Sequence, residues 1–196
     1  MLKVLSLTIG AILALAFSST AQEWQIDAAH SSVSFKVRHM VIAWTQGSFN
    51  EFEGTIRYDT NDVKNGTAEM TVRIASINTD NEKRDEHLRS PDFFDNDKYP
   101  TMSFRSRKVV PGREGEFQLV GDLTIKDIKR EVVFECRSHG SVQDFMGQTR
   151  AGFTATATIN RNDFGIKWSK KLDAGGLVVG DGVSITLEIE AVKAGS

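Results

Sequence analysis

The side chains with the chemistry for metal binding or nucleophilic catalysis are few in this sequence: His30, His39, His87, His139 and the single cysteine, Cys136. No two histidines have the four-residue spacing that places two metal ligands on one face of a helix, and there is no Cys-x-x-Cys pair. A nucleophile elbow, a phosphate-binding loop and a dinucleotide fingerprint are also absent from the sequence. We therefore predict no catalytic residue, no metal and no cofactor, and a protein that is not an enzyme.

Cys136 follows Val132, Val133 and Phe134 in an apolar stretch. A buried small side chain is the ordinary interpretation of such a position, and a reactive thiol is the alternative. A lone cysteine can form no disulfide within the chain, so packing alone must hold the fold together.

The elements that must position these side chains are β-strands, because apolar and polar residues alternate with a period of two along most of the chain. The alternation is clearest in Ser32–Arg38, Phe52–Tyr58, Ala68–Ile74, Phe117–Ile125, Ala151–Ile159 and Val183–Glu190. Parallel sheets covered by helices would give continuous apolar runs instead. Short polar links separate the runs, including a predicted hairpin link at Asp127-Ile128-Lys129. About eight to ten such strands predict an all-β, antiparallel sandwich or barrel.

One stretch breaks the alternation. Glu82–Arg89 is rich in residues that favour a helix, Asp80 or Asn81 can cap its start, and Pro91 stops it. We predict a short helix there, followed by a loop that turns its two phenylalanines inward.

The first 21 residues have the three parts of a secretory signal peptide: Lys3, an apolar run from Val4 to Phe17, and small residues ending at Ala21. The run is too short to span about 30 Å of hydrocarbon, so we predict cleavage after Ala21 and no stable membrane insertion. The remaining residues, 22–196, suit a single domain, which we place in the periplasm. A net charge of −2 gives no reason to expect a nucleic-acid partner.

A sheet with one apolar face must cover it, either by packing on a second sheet or by rolling into a barrel. The predicted inward faces mix large residues such as Phe104 and Phe153 with small ones such as Gly121 and Ala155. The small residues either make room for bulky neighbours in a filled core or leave a cavity. The alternation alone is compatible with both.

Segments spread along the whole chain carry a more specific signal: Ile26–Met40, Gly47–Gly54, Arg84–Asp95, Tyr99–Pro100, Gly121–Lys126, Asn160–Ile166 and Val179–Val183. In this order they resemble the YceI-like family, whose members are secreted, lipocalin-like barrels that bind polyisoprenoid lipids. The resemblance implies an extended antiparallel lipocalin-like β-barrel, with one short helix and loop as a lid and a lipid chain threaded through an apolar channel.

The resemblance also implies a site. The wall of the channel would come from inward side chains of the strands and one late aromatic residue: Phe35, Val37, Phe52, Ile56, Met70, Val72, Ile74, Phe104, Phe117, Leu119, Leu123, Phe134, Phe153, Ala155, Ile159 and Trp168. A polar head group would lie at the mouth, where the candidates are His39, Trp44, Arg84, His87 and Phe93. The guanidinium of Arg84 suits a phosphate or quinone oxygen, and an ion pair with Asp85 or Glu82 is the alternative.

Three functions are compatible with these features. The first is a periplasmic protein that sequesters or carries one amphipathic lipid with a long isoprenoid chain, such as a polyprenyl or isoprenoid-quinone-like compound. The second is a filled barrel that acts in stress or assembly through its surface, with Trp168 between Lys167 and Lys170 as an anchor. The third, a hydrolytic or metal-dependent enzyme, is disfavoured by the missing catalytic set. The resemblance also admits a homodimer.

Overall fold

The computed structural model describes residues 22–59, 63–170 and 177–195. The predicted signal peptide at 1–21 lies outside these ranges. Within them, none of the helices combines the length and the apolar character needed to cross a bilayer.

The described residues form eleven strands: β1 (Gln22–Ile26), β2 (Ser32–His39), β3 (Ala43–Phe49), β4 (Phe52–Tyr58), β5 (Thr67–Arg73), β6 (Ile77–Asn78), β7 (Thr101–Pro111), β8 (Glu116–Ile125), β9 (Ile128–Gln143), β10 (Thr149–Asn160) and β11 (Val179–Lys193). Eight of them close into an antiparallel barrel in the order β1-β4-β5-β7-β8-β9-β10-β11, because β1 pairs with both β4 and β11. Closure leaves these eight strands without a free edge. The predicted all-β antiparallel barrel is confirmed.

The remaining three strands lengthen the barrel on one side. The long strand β11 pairs with β1 through its last residues and with β2 through Val179–Glu188, and β3 and β6 follow β2 in the sheet. The chain bends between β1 and β2, where the N–H of Asp27 donates to the carbonyl of Glu190 at 2.9 Å. The barrel is therefore extended, as the resemblance implied.

The one α-helix among the described residues, α1 (Glu82–Arg89), lies where the sequence predicts it. The side chain of Asn81 caps it by accepting a hydrogen bond from the N–H of Arg84 at 3.0 Å. The loop that follows begins at Ser90 and turns back on the helix, since the N–H of Phe94 donates to the carbonyl of Leu88 at 3.0 Å.

The turn between β8 and β9 is Lys126-Asp127, and both residues have positive φ angles, 53° and 59°. The link predicted at Asp127-Ile128-Lys129 is one residue late, because Ile128 already pairs with Ile125 in the sheet. The Lys126 ammonium reaches back and donates to the carbonyl of Phe93 at 2.8 Å, which fastens the loop after α1 to this turn.

Some of the small inward residues make room for bulky neighbours, and others border empty space; the sequence was compatible with both. A Cβ on Gly47 would lie 2.6 Å from the ring of Phe35. One on Gly121 would clash with the carbonyl of Arg105 and lie 2.5 Å from the ring of Phe104, so both glycines make room for bulky neighbours. Ala155 instead lines an open cavity. The barrel is packed in some layers and hollow in others.

Candidate functional site

The interior of the barrel holds a large apolar cavity. It has about 1090 Å³ of unoccupied volume, counting the part that opens to solvent. Inward apolar side chains such as Ile56, Met70, Phe117 and Leu187 remain partly accessible, because they face this space instead of neighbouring atoms.

A second cavity lies under α1 and the loop that follows it, with about 760 Å³ of unoccupied volume when the part open to solvent is counted. Four residues line both cavities: Val33, Met102, Ile125 and Ile185. The two cavities therefore adjoin, and we refer to them together as the channel. It extends from Tyr58 beside the β4–β5 connection to Val179 at the start of β11.

Most of the predicted wall residues line the channel: Phe35, Val37, Ile56, Met70, Val72, Phe104, Phe117, Leu119, Leu123, Phe134, Phe153, Ala155 and Ile159. The period of two that identified them also decides which side chains point into the barrel. Their contact with a ligand stays a prediction.

Phe52, Ile74 and Trp168 do not line the channel. Ile74 is almost fully buried in the cluster that Phe52 also packs against, because the strand alternation stops where the chain enters a 3-10 turn at Ile74–Ser76. The ring of Trp168 packs edge-on against His87 of α1 with centroids 5.0 Å apart, and against Phe93 of the following loop at 5.2 Å. It therefore supports α1 and this loop instead of the channel wall.

Sequence reasoning missed further wall residues: Ile26, Val33, Tyr58, Ala68, Met102, Val109, Ile125, Cys136, Ile166, Ile185, Leu187 and Ile189. Those of β11 share the visible alternation of that strand and could have been found. In β7 the inward residue is even-numbered at Met102 but odd-numbered at Val109, because the register with β8 shifts between Ser106 and Lys108. No feature of the sequence predicts that β-bulge.

The candidates for the mouth separate into different places. His39 is the last residue of β2 and continues the inward row of Phe35 and Val37, yet it is exposed, so it lies at an end of the channel. Trp44 points outward, where the guanidinium of Arg38 lies 4.2 Å from its ring centroid. Trp44 therefore faces away from the interior of the channel, and its contact with a head group stays a prediction.

The other three mouth candidates belong to the region of α1. Arg84 donates through Nε to the hydroxyl of Thr79 and through an Nη to its carbonyl, both at 2.7 Å, instead of pairing with Asp85 or Glu82. His87 contacts the carboxylate of Asp92 at 3.0 Å. Phe93 is buried and lines the second cavity, so it forms wall and not rim.

Arg161 is a charged residue in the channel wall that sequence reasoning did not single out. Its guanidinium donates to four backbone carbonyls, those of Gly180, Ile166, Trp168 and Val179, and to the carboxylate of Asp181. These five bonds use all the donors of the side chain, so Arg161 fixes the segment around Trp168 to β11 and has no donor left for a ligand. Burial lowers its pKa, and the nearby Asp181 carboxylate opposes that effect.

Among the residues that the structure describes, one group of side chains has the geometry to hold a metal ion. Ligand atoms of Asp27, His30 and Glu190 lie within 4.8 Å of one another, outside the channel. The guanidinium of Arg150 already lies between the carboxylates, 2.7 Å from Asp27 and 2.6 Å from Glu190. Hydrogen bonds from Arg150, and then from His30, lower the pKa of Asp27 to about 2. The group is an ion-pair network that joins the β1–β2 bend to β10 and β11.

Cys136 lies in the wall of the first cavity and is buried. Burial raises the pKa of its thiol to about 12. A thiol that remains protonated at neutral pH is a poor nucleophile, so Cys136 fits the buried-side-chain interpretation and not the reactive one.

Comparison with known proteins identifies the fold independently. The YceI-like domain family model matches residues 24–191. A UPF0312 protein of Staphylococcus aureus strain N315 is 37% identical over 165 residues, which cover 84% of this chain and 94% of the relative.

Solved structures of similar proteins have the same fold. The Campylobacter jejuni YCEI protein is 26% identical, with a TM-score of 0.69 over 94% of this chain and 98% of that one. Burkholderia cenocepacia BcnA is 24% identical, with a TM-score of 0.75 over 84% of this chain and 98% of the other. A polyisoprenoid binding domain from Saccharophagus degradans is 12% identical, with a TM-score of 0.65 over 88% and 99% of the two chains.

Proposed function

The chain belongs to the YceI-like domain family, and from this premise we propose that its channel binds the hydrocarbon chain of one amphipathic, isoprenoid-type lipid. The protein is then a binding protein that sequesters or carries this lipid, and not an enzyme. After removal of residues 1–21 it works in the periplasm.

The observation that carries the proposal is the hollow, apolar interior. Each CH₂ group moved from water into such a space gains about 0.8 kcal/mol, so a long chain binds tightly without directed contacts. The charged residues that border the first cavity, Arg57 and Glu69, are exposed on the outside of their strands. A barrel that acted only through its surface would not need this empty interior.

The structure described as a polyisoprenoid binding domain supports the choice of ligand class, since its fold covers nearly the same length of chain. An isoprenoid chain, with a methyl branch on every fourth carbon of its backbone, suits a channel walled by branched and aromatic side chains. His39, at the open end of the inward row on β2, is our candidate for contact with the head group.

The ionisable groups favour binding over catalysis. A general base works best with a pKa near the working pH, and the pKa of Asp27 lies far below that range. The Cys136 thiol is shifted in the opposite direction, away from the nucleophilic thiolate. Neither residue has the properties that acid–base or covalent catalysis requires.

The test is mass spectrometry of the purified protein, first under native conditions and then after denaturation and solvent extraction. We expect an apolar compound in a ratio of about one per chain. The delipidated protein should then take up squalene, an isoprenoid without a head group, and a polyprenyl phosphate. A protein that carries no lipid and takes up neither compound would refute the proposal.

The assignment of His39 to the head group is tested by comparing a lipid with a head group and one without. His39→Ala should weaken binding of the polyprenyl phosphate more than binding of squalene, and Arg84→Ala should have less effect because Arg84 is tied to Thr79. Equal losses for both lipids in His39→Ala would remove His39 from the site while leaving the lipid-binding proposal intact.

A further inference from the structure

The connection between β2 and β3 exposes a contiguous group of apolar side chains. Val41 and Ile42 are 62% and 82% exposed, and Met40 beside them is also exposed. Trp44 adds a large ring that is 44% exposed. We call these four residues the β2–β3 tip. Single exposed apolar residues are ordinary, but a contiguous group of this kind marks a surface that another phase or partner covers.

The backbone of the β2–β3 tip also adopts an energetically unfavourable conformation. Met40 and Val41 have φ angles of 51° and 67°, in the left-handed region that Asn and Gly adopt readily and β-branched residues avoid. The turn between β8 and β9 has the same backbone feature with Lys126 and Asp127, two polar residues. Apolar side chains at strained, exposed positions therefore need an explanation other than turn formation.

Two described cations lie beside the ring of Trp44 at the tip. The ammonium of Lys36 and the guanidinium of Arg38 lie 5.3 Å and 4.2 Å from the ring centroid of Trp44. Residues 28–50 contain no carboxylate. On the neighbouring strand, Asp181 is paired with Arg161.

The backbone of the segment that carries Lys170 reaches the same end. Met40 donates to the carbonyl of Val178, and the N–H of Val178 donates to the carbonyl of Lys170, both at 2.9 Å. Lys170 is exposed. The tip thus combines apolar side chains, one tryptophan and a rim of cations, the composition of elements that lie in the surface of anionic membranes.

The opposite end of the barrel provides a contrast. The β9–β10 hairpin there exposes an apolar group of similar size, with Phe145 99%, Met146 72% and Val142 67% exposed, but Asp144 within this group is acidic. The cation there, Arg150, is held by the carboxylates of Asp27, Asp144 and Glu190. An apolar tip without available positive charge has no electrostatic attraction to an anionic surface.

We propose that the β2–β3 tip docks the protein on an anionic lipid bilayer, with the Met40, Val41, Ile42 and Trp44 side chains in the interface and Lys36 and Arg38 against lipid phosphates. The docking is peripheral and requires no membrane span. It also brings one end of the channel to the bilayer, because Val37 of β2 and Val179 of β11 line the second cavity next to the tip. The inference goes beyond lipid binding, since the tip can dock whether the channel is loaded or empty.

The experiment measures co-sedimentation of the protein with vesicles of phosphatidylethanolamine and phosphatidylglycerol, and with vesicles of phosphatidylcholine alone. The main variant is Met40→Asn/Val41→Gly, which removes two apolar side chains and places residues suited to positive φ in the turn. It should fold at least as stably as the parent chain and bind phosphatidylglycerol vesicles about tenfold or more weakly. Lys36→Gln/Arg38→Gln should lose about fivefold per charge on these vesicles.

The matched control is Phe145→Ser at the opposite end, which should bind vesicles like the parent chain. Uptake of squalene should be unchanged in Met40→Asn/Val41→Gly, which separates docking from the content of the channel. Equal binding of the parent chain to both vesicle types would overturn the proposal, and so would full binding by Met40→Asn/Val41→Gly. A dimer that this variant dissociates, without any loss of vesicle binding, would assign the tip to contact between copies instead.

Discussion

Ala155→Trp is the sharpest perturbation of the channel, because it fills space without removing a polar contact. Ala155 lies in the middle of β10, between Cys136 on β9 and Leu187 on β11, and lines the first cavity. An added indole takes the volume of about five CH₂ groups, and displacing these from the channel costs about 4 kcal/mol of lipid binding. The dissociation constant should therefore rise by about 10³-fold.

Folding should survive this substitution, since the ring enters unoccupied volume and overpacking of a core costs only about 1–3 kcal/mol. The assay is titration of the delipidated protein with squalene, together with urea unfolding of the same samples. Thr156→Trp is the matched control: Thr156 is the next residue of β10 and is exposed, so the same ring lies outside the barrel. If Ala155→Trp folds and still binds squalene like the control, the channel is not where the lipid lies.

The remaining predictions concern charged and buried groups. At neutral pH Cys136 should react with a small thiol reagent about 10³-fold more slowly than a free cysteine, because burial raises its pKa to about 12, as labelling kinetics would show. Asp27→Asn should lower the free energy of unfolding at neutral pH by on the order of 1 kcal/mol after screening by solvent. The folded pKa of Asp27, about 2, lies below the unfolded value because Arg150 donates to it, so this stabilisation is present above about pH 4 and lost between about pH 4 and 2. Urea unfolding of Arg161→Lys should show a loss of about 2–4 kcal/mol, since buried carbonyls lose their donors.

Each of these has a control. Cys136 should react at the ordinary rate in unfolded protein, and fast labelling of the folded protein would contradict the buried thiol. The difference between the parent chain and Asp27→Asn should shrink when unfolding is measured at acid pH, and a constant difference would show that the carboxylate charge is not responsible. Arg107→Lys, at an exposed ion pair with Glu131, should change stability by about 0.5 kcal/mol or less, and an equal effect at both arginines would contradict the role given to Arg161.

The sequence by itself determined most of the strands, the helix and most of the channel wall, although not the strands β1, β3 and β6. Period-two alternation is a local property, because successive side chains of a strand point to opposite faces, and it identified Met70, Phe117 and Phe153 correctly as inward. The helix was equally local, since Asn81 caps it through its own neighbours. These features depend on residues a few positions apart.

Only the tertiary structure decided what depends on distant parts of the chain. Whether Ala155 fills or opens the interior depends on residues of β9 and β11 that face it, and the bulge in β7 that turns Val109 inward depends on its register with β8. The bonds of Arg161 to Gly180, Val179 and Asp181 likewise join segments that meet only in the fold. No single residue in the sequence encodes the cavity, because its volume depends on which inward side chains do not contact one another in the fold.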